Sequence, residues 1–252
     1  MSGRLTVIGL GPGPSCWITP AAREALETAT DIFGYKAYLE RVPARAGQRV
    51  HESGNRVELQ RAEAALAAAQ SGRRAVLVSG GDPGVFAMAA AVFEAIERGP
   101  AAWRALDVTV EPGVTAMLAA AARIGAPLGH DFCAISLSDN LKPWSAIEKR
   151  LKLACEADFT LALYNPASLA RPGGIHLAFE VLRKAKPADT VIAFARAIGR
   201  ADEAVAVTTL EKADPGIADM QTLVIIGSSA TKILPRDGKA VPWVYTPRSM
   251  EF

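Results

Sequence analysis

Short apolar runs of β-forming residues recur along the chain, and stretches with apolar positions at helical spacing lie between most of them. The runs are "LTVIGL" from Leu5, "AVLVSG" from Ala75, "VTVEPG" from Val108, "FCAISLS" from Phe132, "FTLALYN" from Phe159, "TVIAFA" from Thr190, "AVAVTT" from Ala204 and "TLVIIG" from Thr222. Thr19-Pro20 joins a capping residue to a proline at the first helical position, ahead of "AAREALETA". Residues 56–70 carry apolar side chains at Val57, Leu59, Ala62, Leu66 and Ala69 before Ser71-Gly72 stops the pattern. The spacing predicts further helices over 85–97, 115–123, 145–157 and 175–186. Alternation of strand and helix predicts an α/β fold with largely parallel pairing. Beyond Gly199 the pattern turns strand-rich, which predicts a mixed second sheet. "RIGAPLGHD" at 123–131 is the candidate linker, so two α/β domains are expected, 1–123 and 124–252. The alanine-rich segment 62–69 reads as a helix packed closely on a sheet.

Composition narrows the class without naming a chemistry. With 50% hydrophobic and 21% charged residues in 252, the chain has a globular composition. A net charge of only +2 argues against bulk nucleic-acid binding. Cys16, Cys133 and Cys155 form no C-x-x-C pair, and His51, His130 and His176 lie at no metal-ligand spacing, so neither a disulfide framework nor a metal site is expected. Residues 1–15 show no charged-then-apolar leader pattern and no apolar run approaches a membrane span, so a cytoplasmic protein without membrane contact is the expectation.

The first strand runs into "VIGLGPGP", which starts like a dinucleotide fingerprint. Pro14 occupies the position that needs a small third residue, and Pro12 and Pro14 offer no N–H to a phosphate. No acidic residue ends a second strand about 20 positions on, because Asp31 follows a helix; an NAD-dependent oxidoreductase is therefore disfavoured. Four other loops also follow strands and are rich in Gly, Pro, Asp or Asn: "SGGDPGVF" (79–86), "EPGVTA" (111–116), "YNPAS" (164–168) and "ARAIGR" (195–200). Ligands of open α/β sheets bind beyond the carboxyl ends of strands, so together these loops point to a binding crevice. Any one of them alone is ordinary turn punctuation.

With "GLGPG", these loops resemble the tetrapyrrole (corrin/porphyrin) methylases, the class III S-adenosylmethionine-dependent methyltransferases. "SGNRVELQRA" (53–62), "SGGDPGVFAM" (79–88), "HDFCAISLSDNLKPW" (130–144), "DFTLALYNP" (158–166) and "DMQTLVIIGSS" (219–229) resemble the subgroup that methylates carbon 17 in cobalamin synthesis. The resemblance covers residues 5–248, and "SLSDNLKPW" is its most subgroup-specific stretch. Asn55 stands where Met is expected, Asn140 where Leu is usual, and the tail reads "TPRSM" rather than "TPRGY".

The resemblance implies a two-domain homodimer that binds S-adenosyl-L-methionine, releases S-adenosyl-L-homocysteine, and acts on precorrin-3B with ring contraction to precorrin-4. Hand-over to neighbouring pathway enzymes is a further possible partnership. The implied cofactor residues are Leu10, Gly11 and Pro12, then Gly80, Gly81, Asp82, Val85 and Phe86, and Thr115 and Ala116 at a helix start. From the second domain they are Tyr164, Asn165, Ala195, Arg196, Thr222 and Leu223. A macrocycle rich in carboxylates needs cations. Among the clustered Arg41, Arg45, Arg49, Arg56 and Arg61, the first two read as a solvated face; Arg56, Lys142 and Arg200 are the better candidates. Tyr35 and Tyr38 are candidates for stacking on the ring or for core packing. Contraction needs a base for the carbon-20 hydroxyl; Asp139, His130 and Glu111 are open alternatives, with Asp139 and His130 preferred. A sister methylase acting on another position or a cobalt-containing substrate, and a non-catalytic tetrapyrrole carrier, are the remaining alternatives.

Overall fold

The computed structural model describes residues 3–167 and 172–249, so Ser168 of "YNPAS" and Met250 of the tail lie outside the described residues. It divides into two compact units, Met1–Thr115 and Ala116–Phe252.

The first unit contains β1 (Arg4–Gly9), α1 (Pro20–Thr28), β2 (Asp31–Tyr35), α2 (Lys36–Leu39), β3 (Arg49–Ser53), α3 (Glu58–Gln70), β4 (Arg74–Ser79), α4 (Met88–Arg98) and β5 (Asp107–Glu111). Its five-stranded sheet has the order β3-β2-β4-β1-β5 and is parallel throughout. Both faces of β1 and β4 are covered, which is why their sequences read as unbroken apolar runs rather than alternating ones. On one face Ala62, Ala65, Leu66 and Ala69 of α3 pack with Leu5, Val7, Leu77 and Val92; on the other lie Ala22, Ile32, Leu39, Val76 and Val78. The alanine-rich segment is the helix lying on the sheet, as its composition predicts. Thr19 caps α1 by accepting from the Ala22 N–H at 3.2 Å, with Pro20 at the first helical position.

The second unit contains α5 (Ala116–Ile124), β6 (Gly125–Ala126), β7 (Phe132–Ser136), α6 (Trp144–Glu156), β8 (Thr160–Tyr164), α7 (Gly174–Ala185), β9 (Val191–Arg196), β10 (Ala204–Thr209), β11 (Thr222–Ile226), β12 (Lys232–Leu234) and β13 (Trp243–Tyr245). Its main sheet has the order β10-β9-β11-β8-β7 and is mixed, as expected. β7 pairs parallel with β8, while β11 is antiparallel to both β8 and β9, so β7, β8 and β9 run the same way. Their carboxyl ends and the start of β11 therefore share one edge. Phe179 stacks on Phe194 at 6.1 Å in a core with Ile147, Leu151, Leu161, Leu163 and Val224. A smaller sheet, β12-β13-β6, is tied in by Thr246 Oγ1, which donates to the Pro127 carbonyl at 2.6 Å.

Three expectations are corrected here. The domain boundary expected at 123/124 falls after Thr115, because α5 and β6 pack with β11 and β13 of the second unit. The helix expected from residue 85 begins at Met88, since Phe86 has φ 53 and Ala87 is extended. Asp31 opens β2 rather than merely following a helix. It lies at the amino end of its strand, opposite the edge where a ribose-binding acid belongs. No helix among the described residues is long and apolar enough to cross a membrane.

Candidate active site

The carboxyl edge of the first sheet is built by backbone packed on backbone. The Gly11 N–H donates to the Gly81 carbonyl at 3.1 Å and the Gly81 N–H returns to Gly11 at 3.3 Å, joining the loops after β1 and β4. Both glycines have positive φ, 66° and 64°, a region that L side chains rarely adopt. A Cβ on Gly9 would stand 2.5 Å from the Gly81 carbonyl oxygen and 2.7 Å from Gly113 Cα, so the loop after β5 closes on the same point. Asp82 staples the arrangement: Oδ1 accepts from Gly84 N–H at 2.8 Å and Oδ2 from Gly113 N–H at 3.0 Å. Read from the sequence as a cofactor ligand, Asp82 thus has both carboxylate oxygens engaged in positioning the loops. Leu10 and Gly11 are buried, Pro12, Gly80, Gly81 and Val85 half-buried, and Phe86 is 51% exposed.

Arg41 corrects a further expectation. Its guanidinium donates to the carbonyls of Leu10 (3.0 Å), Gly11 (3.0 Å) and Gly13 (2.8 Å), clamping the whole "GLGPG" turn instead of facing solvent. Arg45 does lie on an exposed face, paired with Glu27 at 2.7 Å. Arg56 is exposed in the turn after β3, with φ 64 and its N–H held by Asn55 and Glu58.

In the second unit the candidate residues gather at the carboxyl edge of β7, β8 and β9. Asn165, at φ 54, donates from Nδ2 to Ser136 Oγ at 2.9 Å, linking the turn after β8 to the end of β7. Tyr164 OH accepts the Met117 N–H at 3.0 Å, fixing the start of α5 and hence Ala116; Thr115, just before it, is buried. A cavity of ≈ 220 Å³ is lined by Leu137, Asp139, Trp144, Asn165, Pro166 and Leu177, so "SLSDNLKPW" and "YNP" meet there.

Several candidate side chains bond within the protein. Arg196 is held by Asp219 at 2.8 Å and Asp202 at 2.8 Å, and their hydrogen bonds push its guanidinium above the ordinary arginine value. Thr222 Oγ1 donates to Asp219 Oδ1 at 2.8 Å, and Ala195 and Leu223 face one another across β9 and β11, both buried. These four residues shape the sheet edge, and Arg196 and Thr222 spend their polar groups on Asp219. Arg200 is exposed at the same edge and donates to Gln221 Oε1 at 3.2 Å. Lys142 is half-buried; burial, and then the Arg150 charge, push its ammonium below the usual lysine value.

The two preferred candidates for the base, Asp139 and His130, lie at opposite ends of β7. His130 lies beside Asp131, whose carbonyl accepts from Thr160 N–H at the start of β8. It therefore sits at the amino end of β7, about 17 Å of strand away from the other edge. Among the described residues no group of His, Cys, Asp or Glu is arranged to hold a metal.

Four of the five non-glycine residues recorded at positive φ are Arg56, Phe86, Asn165 and Ala197, and each lies in a turn that follows a strand's carboxyl end. Held strain of this kind collects at functional turns.

The family model for Tetrapyrrole (Corrin/Porphyrin) Methylases matches residues 4–214. The chain is 56% identical over 248 residues to the precorrin-3B C(17)-methyltransferase of Sinorhizobium sp, covering 98% of this chain and 97% of that one. It is 42% identical over 247 residues to a probable cobalt-factor III C(17)-methyltransferase of Salmonella typhimurium, covering 97% and 98%. The crystal structure of the methyltransferase CobJ superposes with a TM-score of 0.92 at 51% identity, covering 98% of this chain and 100% of that one. With its strand-end loops built as described and the match running through both units, the chain belongs to the tetrapyrrole methylase family.

Proposed function

We propose that this protein transfers the methyl group of S-adenosyl-L-methionine to carbon 17 of precorrin-3B and contracts the macrocycle to precorrin-4, within cobalamin biosynthesis. The observation that carries this reading is the 56% identity, end to end, with a precorrin-3B C(17)-methyltransferase. A carboxyl edge built of glycine backbones, with Gly11 and Gly81 bonded to one another and both at positive φ, supports a ligand held largely by main chain there. On this reading Leu10–Pro12, Gly80, Gly81, Val85, Phe86, Thr115, Ala116, Tyr164 and Asn165 contact it. Asp82, Arg41, Arg196 and Thr222 hold those contacts in place, and Ala195 and Leu223 form the wall behind them.

The bound cofactor supplies a methyl group already activated on a sulfonium, so alignment in a dry site can account for most of the acceleration of that step. Arg56, Lys142 and Arg200 are cations suited to the substrate's carboxylates. Asp139 is our candidate for removing the carbon-20 hydroxyl proton during contraction, since it lines the cavity with Trp144 and Asn165. We further infer a cytoplasmic homodimer.

The test is to incubate the purified protein with S-adenosyl-L-methionine and, in separate reactions, precorrin-3B and cobalt-factor III. Faster turnover of precorrin-3B, giving precorrin-4, than of cobalt-factor III, giving its cobalt-containing counterpart, is the expected result. Turnover of cobalt-factor III alone assigns the protein to the cobalt-containing branch, and binding of precorrin-3B without turnover makes it a carrier.

A further inference from the structure

We propose that Arg61 is a receptor for one carboxylate of the tetrapyrrole substrate, seated at the carboxyl edge of the first sheet; this rests on the methylase reading above. Arg61 is in the first turn of α3 and only 6% exposed. Nε donates to Ser53 Oγ at 2.6 Å and one Nη to the Gly54 carbonyl at 2.6 Å. The other Nη faces Met88 Sδ at 3.3 Å, and a thioether is a weak acceptor. No carboxylate lies within ion-pairing distance among the described residues. A guanidinium has five N–H donors, so this one is left with bonding capacity and no counter-ion. A buried charge without a partner is costly, and a structural arginine is normally paired.

The surroundings suit an organic anion. Ser53 ends β3 and Gly54 follows it, and a Cβ on Gly54 would meet nothing within 4 Å, so that rim is open. Tyr35 and Tyr38 stand edge to face at 5.4 Å, and the Tyr38 ring lies against Gly80, where a Cβ would come within 2.7 Å of it. One tyrosine of this pair thus packs against a proposed cofactor loop. Burial pushes the Arg61 guanidinium below the usual arginine value, with Glu58 and the two tyrosines opposing the shift. A planar fork with free N–H groups binds a carboxylate bidentately, as the acetate and propionate arms of a precorrin allow. The competing role is a structural tie between Ser53, Gly54 and Met88.

The experiment compares the wild-type protein with Arg61→Met and Arg61→Lys. It follows binding of uroporphyrin III, a stable polycarboxylate tetrapyrrole, by fluorescence, S-adenosyl-L-methionine binding by calorimetry, and the melting temperature. A lost charge-assisted pair predicts uroporphyrin affinity about tenfold or more weaker in Arg61→Met, partly recovered in Arg61→Lys. Cofactor affinity stays unchanged, and the melting temperature does not fall, because an unpaired buried charge has been replaced by an apolar chain. Equal uroporphyrin affinity in wild type and Arg61→Met overturns the proposal, as does a fall in stability with affinity kept. Should Arg61→Met not fold, Arg61→Lys decides: unchanged affinity there also overturns it. Uroporphyrin binding that depends on Arg61, without turnover of precorrin-3B, leaves the receptor standing and removes the methylase substrate instead.

Discussion

Arg41 and Asp82 fix the first unit's loops from opposite charges, one by donating to three carbonyls and the other by accepting from two N–H groups. Removing either leaves the loops free to rearrange before a ligand arrives. Arg41→Ala is expected to weaken S-adenosyl-L-methionine binding by about tenfold or more, read by calorimetry, and Arg41→Lys not to restore it, since an ammonium cannot span three carbonyls. Unchanged affinity would mean that the turn holds without its clamp. Asp82→Ala removes two hydrogen bonds to a charged group, and denaturant unfolding is expected to register a loss of about 1–3 kcal/mol. The role of Asp82 was half legible in the sequence: "GGDP" marks a turn, but not that the second oxygen reaches Gly113, 31 positions on. Arg41 was not legible at all, because its acceptors are main-chain carbonyls 28 to 31 positions away and carry no residue type.

At the scale of elements, the strands found from sequence are runs of five or six residues rich in β-forming side chains, and those missed are exposed, short or broken by glycine. β3 is exposed along nearly its whole length, β12 is exposed throughout, β6 has two residues, and β2 carries Gly34. What holds β3 to β2 at their amino ends is Asp31, 2% exposed, which meets His51 at 2.9 Å and Arg49 at 3.1 Å. Burial raises its carboxyl, but bonds from His51, Thr30 and Arg49 outweigh this and hold it below the usual carboxylate range. A depressed folded value stabilises above the unfolded pKa of about 3.9 and is lost as the pH falls through the folded one. Asp31→Asn is therefore expected to cost about 1–3 kcal/mol in urea unfolding at pH 7, discounted for the half-exposed cations. The gap to wild type should narrow in acid; a gap independent of pH would show that charge is not what Asp31 contributes. In the second unit, Tyr164→Phe removes the acceptor at the start of α5 and should cost about 1 kcal/mol by the same measurement, whereas an unchanged midpoint would show that α5 starts as well without it.

For the molecule as a whole, the sequence carries the fold class and the division into two α/β units. It misplaces the boundary because the Gly/Pro-rich 123–131 looks like a linker, whereas α5 before it packs on β11. The same segment explains His130, which turns at the amino edge of β7 while Asp139 lies beyond the other end. Asp139→Asn is accordingly expected to slow contraction by more than about tenfold, with cofactor affinity kept, and His130→Gln to leave it unchanged. Equal precorrin-4 formation by Asp139→Asn and wild type, read by product mass and absorption, would remove Asp139 as the base. The central claim, methylation at carbon 17 with contraction, is tested most directly by supplying S-adenosyl-L-methionine labelled with carbon-13 in its methyl group, together with precorrin-3B. Carbon-13 NMR of the product should show one labelled methyl on carbon 17 of a contracted ring whose carbon-20 bridge has become an acetyl group. A label on any other ring carbon, or a labelled macrocycle that keeps its bridge, would contradict the account.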